Sequence, residues 1–249
     1  MIKELRVEHW KSFDEARLYL DPLTILIGAN AGGKTNLLEA LLFLKRIGDG
    51  VDVEEAIDGG GSMEPIRGGV ASVCRQPWHW FALDVLVGMD AARDCRYRIK
   101  VWTDGVCVTA FEEGLYSVSD EQPDEVPLLW TELLIDSEEE LLPKTSIHPT
   151  PGETINHQSF RGQGFTVHWR TFQGIEKSII GAGTSRTWLK QLPELNQYAS
   201  ASLDISEEVL KAAATVRNCL EGIFVFDPQP GAMRKPSAPS KRLEANGAN

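Results

Sequence analysis

Along the first twenty residues the chain alternates. Leu5, Val7 and His9 interleave with Arg6, Glu8 and Trp10, and after a "KSFDE" turn region Arg17, Leu18, Tyr19 and Leu20 alternate again. A period of two predicts half-buried strands, so two short strands joined by a loop are expected. Leu23 to Ile27, after Pro22, is almost wholly apolar and of strand length, the pattern of a strand buried on both faces of a sheet. Glycines follow. Then Leu37, Leu38, Ala40, Leu41, Leu42, Leu44 and Ile47 form a broad helical stripe, closed by Lys45, Arg46 and Gly48.

Farther on, Gly48 to Gly69 is glycine-rich and acidic and reads as a mobile connection. Phe81, Leu83, Val85 and Val87 alternate, Tyr97, Ile99 and Val101 alternate, and Asp104-Gly105 is a turn signal before Val106 to Phe111, which predicts an antiparallel meander. Polar stretches at Ser117 to Val126 and Asp136 to Gln158 flank the apolar Leu128 to Ile135 and are expected as exposed excursions. Thr184 or Ser185 is placed to cap a short helix stopped by Pro193, and Asp204 with Glu207 has capping-box spacing before a helix ended by Gly222. Ile223 to Phe226 reads as a compact strand running into Asp227-Pro228, and a polar tail follows. The organisation expected is a 1–47 core, a β-rich subdomain over 48–180, a helical segment and returning strand over 181–233, and a tail or cut end over 234–249.

With 249 residues and 42% hydrophobic content the chain can bury an ordinary core. A net charge of −11 excludes a uniformly basic nucleic-acid binder and leaves room for a local basic patch. Cys74, Cys95, Cys107 and Cys219 form no C-x-x-C pair, and the charged N-terminus lacks a signal peptide's apolar stretch, so a reduced, cytoplasmic protein without a membrane span is expected. The five histidines show no metal-ligand spacing.

The chemistry concentrates in "ILIGANAGGKTNLLEALLFLKR", Ile25 to Arg46. Gly28, Gly33, Lys34 and Thr35 match G-x-x-x-x-G-K-[ST] between the expected strand and helix. Glycines let successive amides curl round β- and γ-phosphates, the helix aims its positive end at the same point, Lys34 supplies a point charge, and the Thr35 hydroxyl is placed to ligate Mg²⁺. A nucleoside triphosphate site is the reading.

The stretch "LRVEHWKSFDEARLYLDPLTILIGANAGGKTNLLEAL", Leu5 to Leu41, resembles the opening of the AAA/ABC-type P-loop ATPases of the RecF, SMC and OLD-like group. It departs from their commonest pattern at Ala31 and Gly32, where backbone amides do the binding and neither change removes one. The resemblance implies an α/β, ABC/SMC head-like fold with a mixed sheet and an antiparallel β-subdomain. It implies ATP with Mg²⁺ as ligands, Asn30 and Asn36 as residues shaping the loop, and Lys11 near the nucleotide. It also implies a second ATPase head, from a homodimer or a missing C-terminal half, sandwiching ATP, and a role in DNA repair or phage defence with DNA as a further partner.

Hydrolysis needs an apolar strand ending in Asp-Glu. "LLIDSEEE" offers Asp136 but puts Ser137 at the Glu position, and "IFVFDPQP" offers Asp227 as a magnesium partner but puts Pro228 there. No signature motif of the SGG type is present, so the expectation is the N-terminal part of a longer ATPase that hydrolyses poorly on its own. The alternative is a non-catalytic nucleotide-binding or dimerisation module. Gln76, Gln158 and Gln163 are candidates for a glutamine that senses Mg²⁺. Trp78 and Trp80 beside Arg75 suit either a base-stacking platform or core packing. Arg234, Lys235, Lys241 and Arg242 suit nucleic-acid contact or a solvated tail.

Overall fold

The computed structural model describes residues 1–90, 93–119, 125–133, 165–171, 175–180, 187–192 and 205–225. Strands β1 (Ile2–Glu8), β2 (Glu15–Tyr19), β3 (Trp80–Gly88), β4 (Arg93–Thr103), β5 (Val108–Ser119), β6 (Val126–Leu133), β7 (Phe165–Arg170) and β8 (Ile175–Ile180) form one eight-stranded sheet, ordered β2-β1-β3-β4-β5-β6-β7-β8. Every pair is antiparallel, which corrects the expected mixed sheet among the described residues. From β3 onward each strand pairs with the next in sequence. The β1–β3 pairing carries the sheet across the boundary expected near residue 48.

Alternation selects the core face. Phe81, Leu83, Val85 and Val87 on β3 and Tyr97, Ile99 and Val101 on β4 point inward and are buried. Two helices, α1 (Lys34–Gly48) and α4 (Glu207–Glu221), cover them, α1 burying Ala40, Phe43, Leu44 and Ile47 and α4 burying Val209, Ala212, Ala213, Val216 and Leu220. Each buried Val, Leu, Ile or Phe among them contributes roughly 1.5–3 kcal/mol. The two helices meet at Gly48, where a Cβ would lie 2.6 Å from Leu220 Cβ. No helix among the described residues is long and apolar enough to cross a membrane.

Several expectations are corrected. The 48–69 connection is built on two short helices, α2 (Val53–Asp58) and, at its end, α3 (Gly69–Val73). Val53, Ala56 and Ile57 recur at helical spacing and bury there. The buried Arg46 guanidinium clamps the segment, donating to Ala56 O at 2.8 Å and Glu64 O at 2.5 Å. The cap of α4 is Ser206, whose Oγ accepts from Val209 N; the helix begins at Glu207, so Asp204 lies upstream of the cap and outside the described residues. A helical turn at 188–192 stands before Pro193, while Thr184 and Ser185 lie outside the described residues. Residues 223–225 are described without strand structure, and Phe224 is exposed, since nothing described pairs with it. Asp136, Gln158, Gln163, Asp227 and the basic tail lie outside the described residues.

The largest departure is Leu23 to Ile27. These residues form no strand, and Leu23, Ile25 and Ile27 are 81%, 73% and 91% exposed. An almost wholly apolar strand is buried where a sheet holds it and layers cover both of its faces. The described sheet ends at β2, and the run passes outside it.

Candidate phosphate-binding site

The loop between this exposed run and α1 is held from beneath by the β1–β2 hairpin. His9 and Lys11 both take left-handed backbone, φ 50° and 52°, which reverses the side-chain alternation and drives Trp10 into the core. That conformation costs an L-residue about 1–2 kcal/mol. In return the fully buried Trp10 packs edge-on against Phe81, centroids 4.8 Å apart, and donates its indole N–H to Asn36 O at 2.7 Å. The first turn of α1 is thereby tied to the sheet.

Gly33 is the N-terminal cap of α1 with φ 86°, and a Cβ there would lie 2.6 Å from Phe13 Cζ. Backbone conformation and close approach both demand glycine. Ala31 also takes left-handed backbone, φ 65°, a conformation that glycine would adopt without penalty. Gly32 N–H closes the turn on Ala29 O at 3.2 Å. Within this turn the Lys34 ammonium folds back onto Gly28 O at 2.8 Å and Ala29 O at 2.7 Å. Gly28 to Gly32 and Thr35 are exposed, so this stretch of the loop lies at the surface.

Asn36 points elsewhere: Nδ2 donates to Ser12 Oγ at 2.7 Å, and Oδ1 accepts from Arg67 at 2.6 Å. Lys11, nearly buried, donates to Arg67 O at 2.6 Å and pairs with Glu39 at 2.8 Å. Burial pulls its ammonium below the ordinary value, and Glu39 opposes that pull. Lys11 therefore braces the flank of α1, tying the hairpin to α1 and to the loop before α3. Arg67, Ser12, Phe13 and Glu39 are members of this array that no spacing in the sequence marks; "KSF" carried two of them only as a turn. Beside Ser12, Arg75 donates to its carbonyl at 2.6 Å, and Trp78 stacks on His9 with centroids 4.1 Å apart. Gln76 sits in the turn before β3, joined to Pro77 by a cis bond.

The residues fit a polyphosphate: one ammonium, an exposed glycine-rich turn leading into a helix N-terminus, and one hydroxyl. Among the described residues no group of three or more His, Cys, Asp or Glu side chains is arranged to hold a metal ion. A Mg²⁺ ion here would rest on Thr35, phosphate oxygens and water, the usual manner in which this cation is held beside nucleotides.

Two comparisons bear on the loop. Residues 23–71 match the family described as "AAA domain, putative AbiEii toxin, Type IV TA system". The DNA replication and repair protein RecF from three Streptococcus agalactiae strains, of serotypes Ia, V and III, is 48% identical over 44 residues. That alignment takes in 17% of this chain and 12% of each relative. The family match spans the exposed run, the loop, α1, α2 and the start of α3. Over residues 23–71, then, the chain is similar to AAA/ABC-type, RecF-like P-loop ATPases.

Proposed function

We propose that the loop binds ATP with Mg²⁺ and that the chain serves as the nucleotide-binding part of a cytoplasmic ABC/SMC-like ATPase in DNA repair or phage defence. Amides from Asn30 to Thr35 wrap the β-phosphate, Lys34 balances charge at the β/γ oxygens, and Thr35 holds Mg²⁺. Bound Mg²⁺ would supply charge neutralisation at the phosphates. The chain's own residues supply the cradle: Gly33 keeps the amides convergent, and Trp10 and Asn36 hold the first turn of α1 still. The observation that carries the reading is the Lys34 ammonium lying within the turn on Gly28 O and Ala29 O, contacts that an arriving phosphate would replace.

A second head, a copy of this chain or a further polypeptide, completes the site in this proposal. The exposed Leu23, Ile25 and Ile27 support such a meeting, because a contiguous apolar run of this kind marks a surface that associates. With no Asp-Glu strand in the sequence, turnover by this chain alone is expected to be slow or nil.

Titration with fluorescent ATP, with and without Mg²⁺, tests the reading. Lys34→Ala is expected to weaken binding about tenfold or more, the effect of losing a charge-assisted contact. Thr35→Ala is expected to erase the Mg²⁺ dependence. Unchanged affinity in Lys34→Ala would overturn the proposal. Binding without phosphate release, even when two heads are brought together, would favour the non-catalytic module.

A further inference from the structure

On the sheet face opposite α1 and α4 one row of residues runs straight across four strands. Arg98 on β4, Gly114 on β5, Trp130 on β6 and His168 on β7 are successive register partners. Gly114 opens a gap in that row, and the Tyr116 ring folds down into it, so close that a Cβ at residue 114 would lie 2.5 Å from its hydroxyl oxygen. The result is a cleft of about 300 Å³ walled by Arg98, Lys100, Glu112, Tyr116 and Trp130.

Its walls are rigid aromatics and cations. Trp130 is backed by His168, stacked at 4.7 Å and 5° between planes, and His168 is in turn fixed by Glu132 at 3.1 Å. The Lys100 ammonium lies over the rings of both Trp80 and Trp102, at 4.4 and 4.3 Å. Arg98 reaches Glu8 through Nη2 at 3.0 Å, and a guanidinium has five N–H donors in all. Aromatic faces beside guanidinium and ammonium groups are the means by which proteins take hold of a base and its phosphate. Glu112 lines the cleft, and Glu8 and Glu132 partner Arg98 and His168, a local charge balance that suits a single phosphate better than a run of them. The volume is that of a small ligand.

We propose that this cleft is a second binding site, separate from the phosphate loop, that accepts one nucleotide unit. The planar base lies against Trp130 and Tyr116, and the phosphate meets Arg98 and Lys100. A free nucleoside monophosphate and one unit of a single strand share this chemistry.

The test uses the full chain carrying Lys34→Ala, so that the phosphate loop is silenced and the two readings fail independently. Adenosine monophosphate is titrated by calorimetry and a short fluorescein-labelled oligodeoxyadenylate by anisotropy. At least one probe is expected to bind, with Arg98→Ala and Trp130→Ala each weakening it about tenfold. Arg98 is 43% exposed, so its removal leaves the core intact. Gly114→Ala, which displaces Tyr116, is expected to produce the same loss. Binding of the strand alone assigns the site to single strands; binding of the monophosphate assigns it to free nucleotide. If neither probe binds at about millimolar concentration, or if binding ignores both Arg98→Ala and Trp130→Ala, the proposal falls.

Discussion

The inward faces of β3 and β4 and the Leu23 to Ile27 run are both apolar and meet opposite fates. Phe81, Leu83, Val85, Ile99 and Val101 are wholly buried, while Leu23, Ile25 and Ile27 stand in solvent. The difference is neighbours. Strand β3 is paired along both edges, by β1 and β4, and roofed on one face by helices. For the run, the hydrogen bonds among the described residues are local, such as Asp21 N–H to Thr24 Oγ1 at 3.0 Å. Apolar character thus gives a segment a reason to be buried, and topology decides whether it is. Among the described residues the β3–β4 core is closed, and the segment leading into the phosphate loop is exposed.

That contrast can be broken most forcefully at Phe43, which packs edge-on against Phe81 at 5.6 Å beneath α1. Phe43→Ala is expected to lower stability in urea unfolding by about 3–5 kcal/mol, because it leaves a cavity in a closed core. A loss below about 1 kcal/mol would mean that α1 is only loosely docked.

Next in size is Glu113, a fully buried carboxyl on β5. It accepts from the Tyr97 hydroxyl at 2.9 Å and from Trp188 N–H, the latter capping the 188–192 turn. Burial pushes it from an ordinary 4.5 up to about 7, although the bonds from Trp188, Tyr97 and Leu189 all pull it down. A raised folded-state value means that the folded chain holds this proton more tightly than the unfolded chain. The contribution is therefore full below pH 4.5 and is lost as pH rises through about 7. Relative to Glu113→Gln, the wild-type chain is expected to lose about 3 kcal/mol across that window, read from urea midpoints at successive pH values. A difference that grew with pH would refute the assignment.

The smallest effect sharpens the comparison. Ile25→Ser is expected to change the stability of the isolated chain by less than about 0.5 kcal/mol, since an exposed side chain has nothing to lose. A cost of several times that in urea unfolding would mean that the run is buried in solution.

The parts legible in the sequence are those governed by local pattern. The alternation of β3 and β4, the Asp104-Gly105 turn with Gly105 at φ 87°, and the stripe of α1 all follow from short-range periodicity. The spacing of Gly28, Gly33, Lys34 and Thr35 likewise specified a loop that closes at the head of a helix. What local pattern does not encode depends on distant partners. Arg67 meets Asn36 across 31 positions, and Glu113 meets Trp188 across 75. Neither leaves a periodic trace. Positive φ at His9 and Lys11 broke an alternation that otherwise extended smoothly to Trp10. Ser206, rather than Asp204, capped α4, a choice between two good capping residues that spacing alone does not make.

The bond from Trp10 to the Asn36 carbonyl and the Phe13 ring over Gly33 make the hairpin and the turn one mechanical part. Transplanting Gly28 to Asn36 into a foreign strand–helix junction would carry the recognition groups but leave behind the anchor and the lid that hold them rigid. A successful graft would have to take the Trp10–Phe13 corner as well, which makes the working unit a discontinuous one.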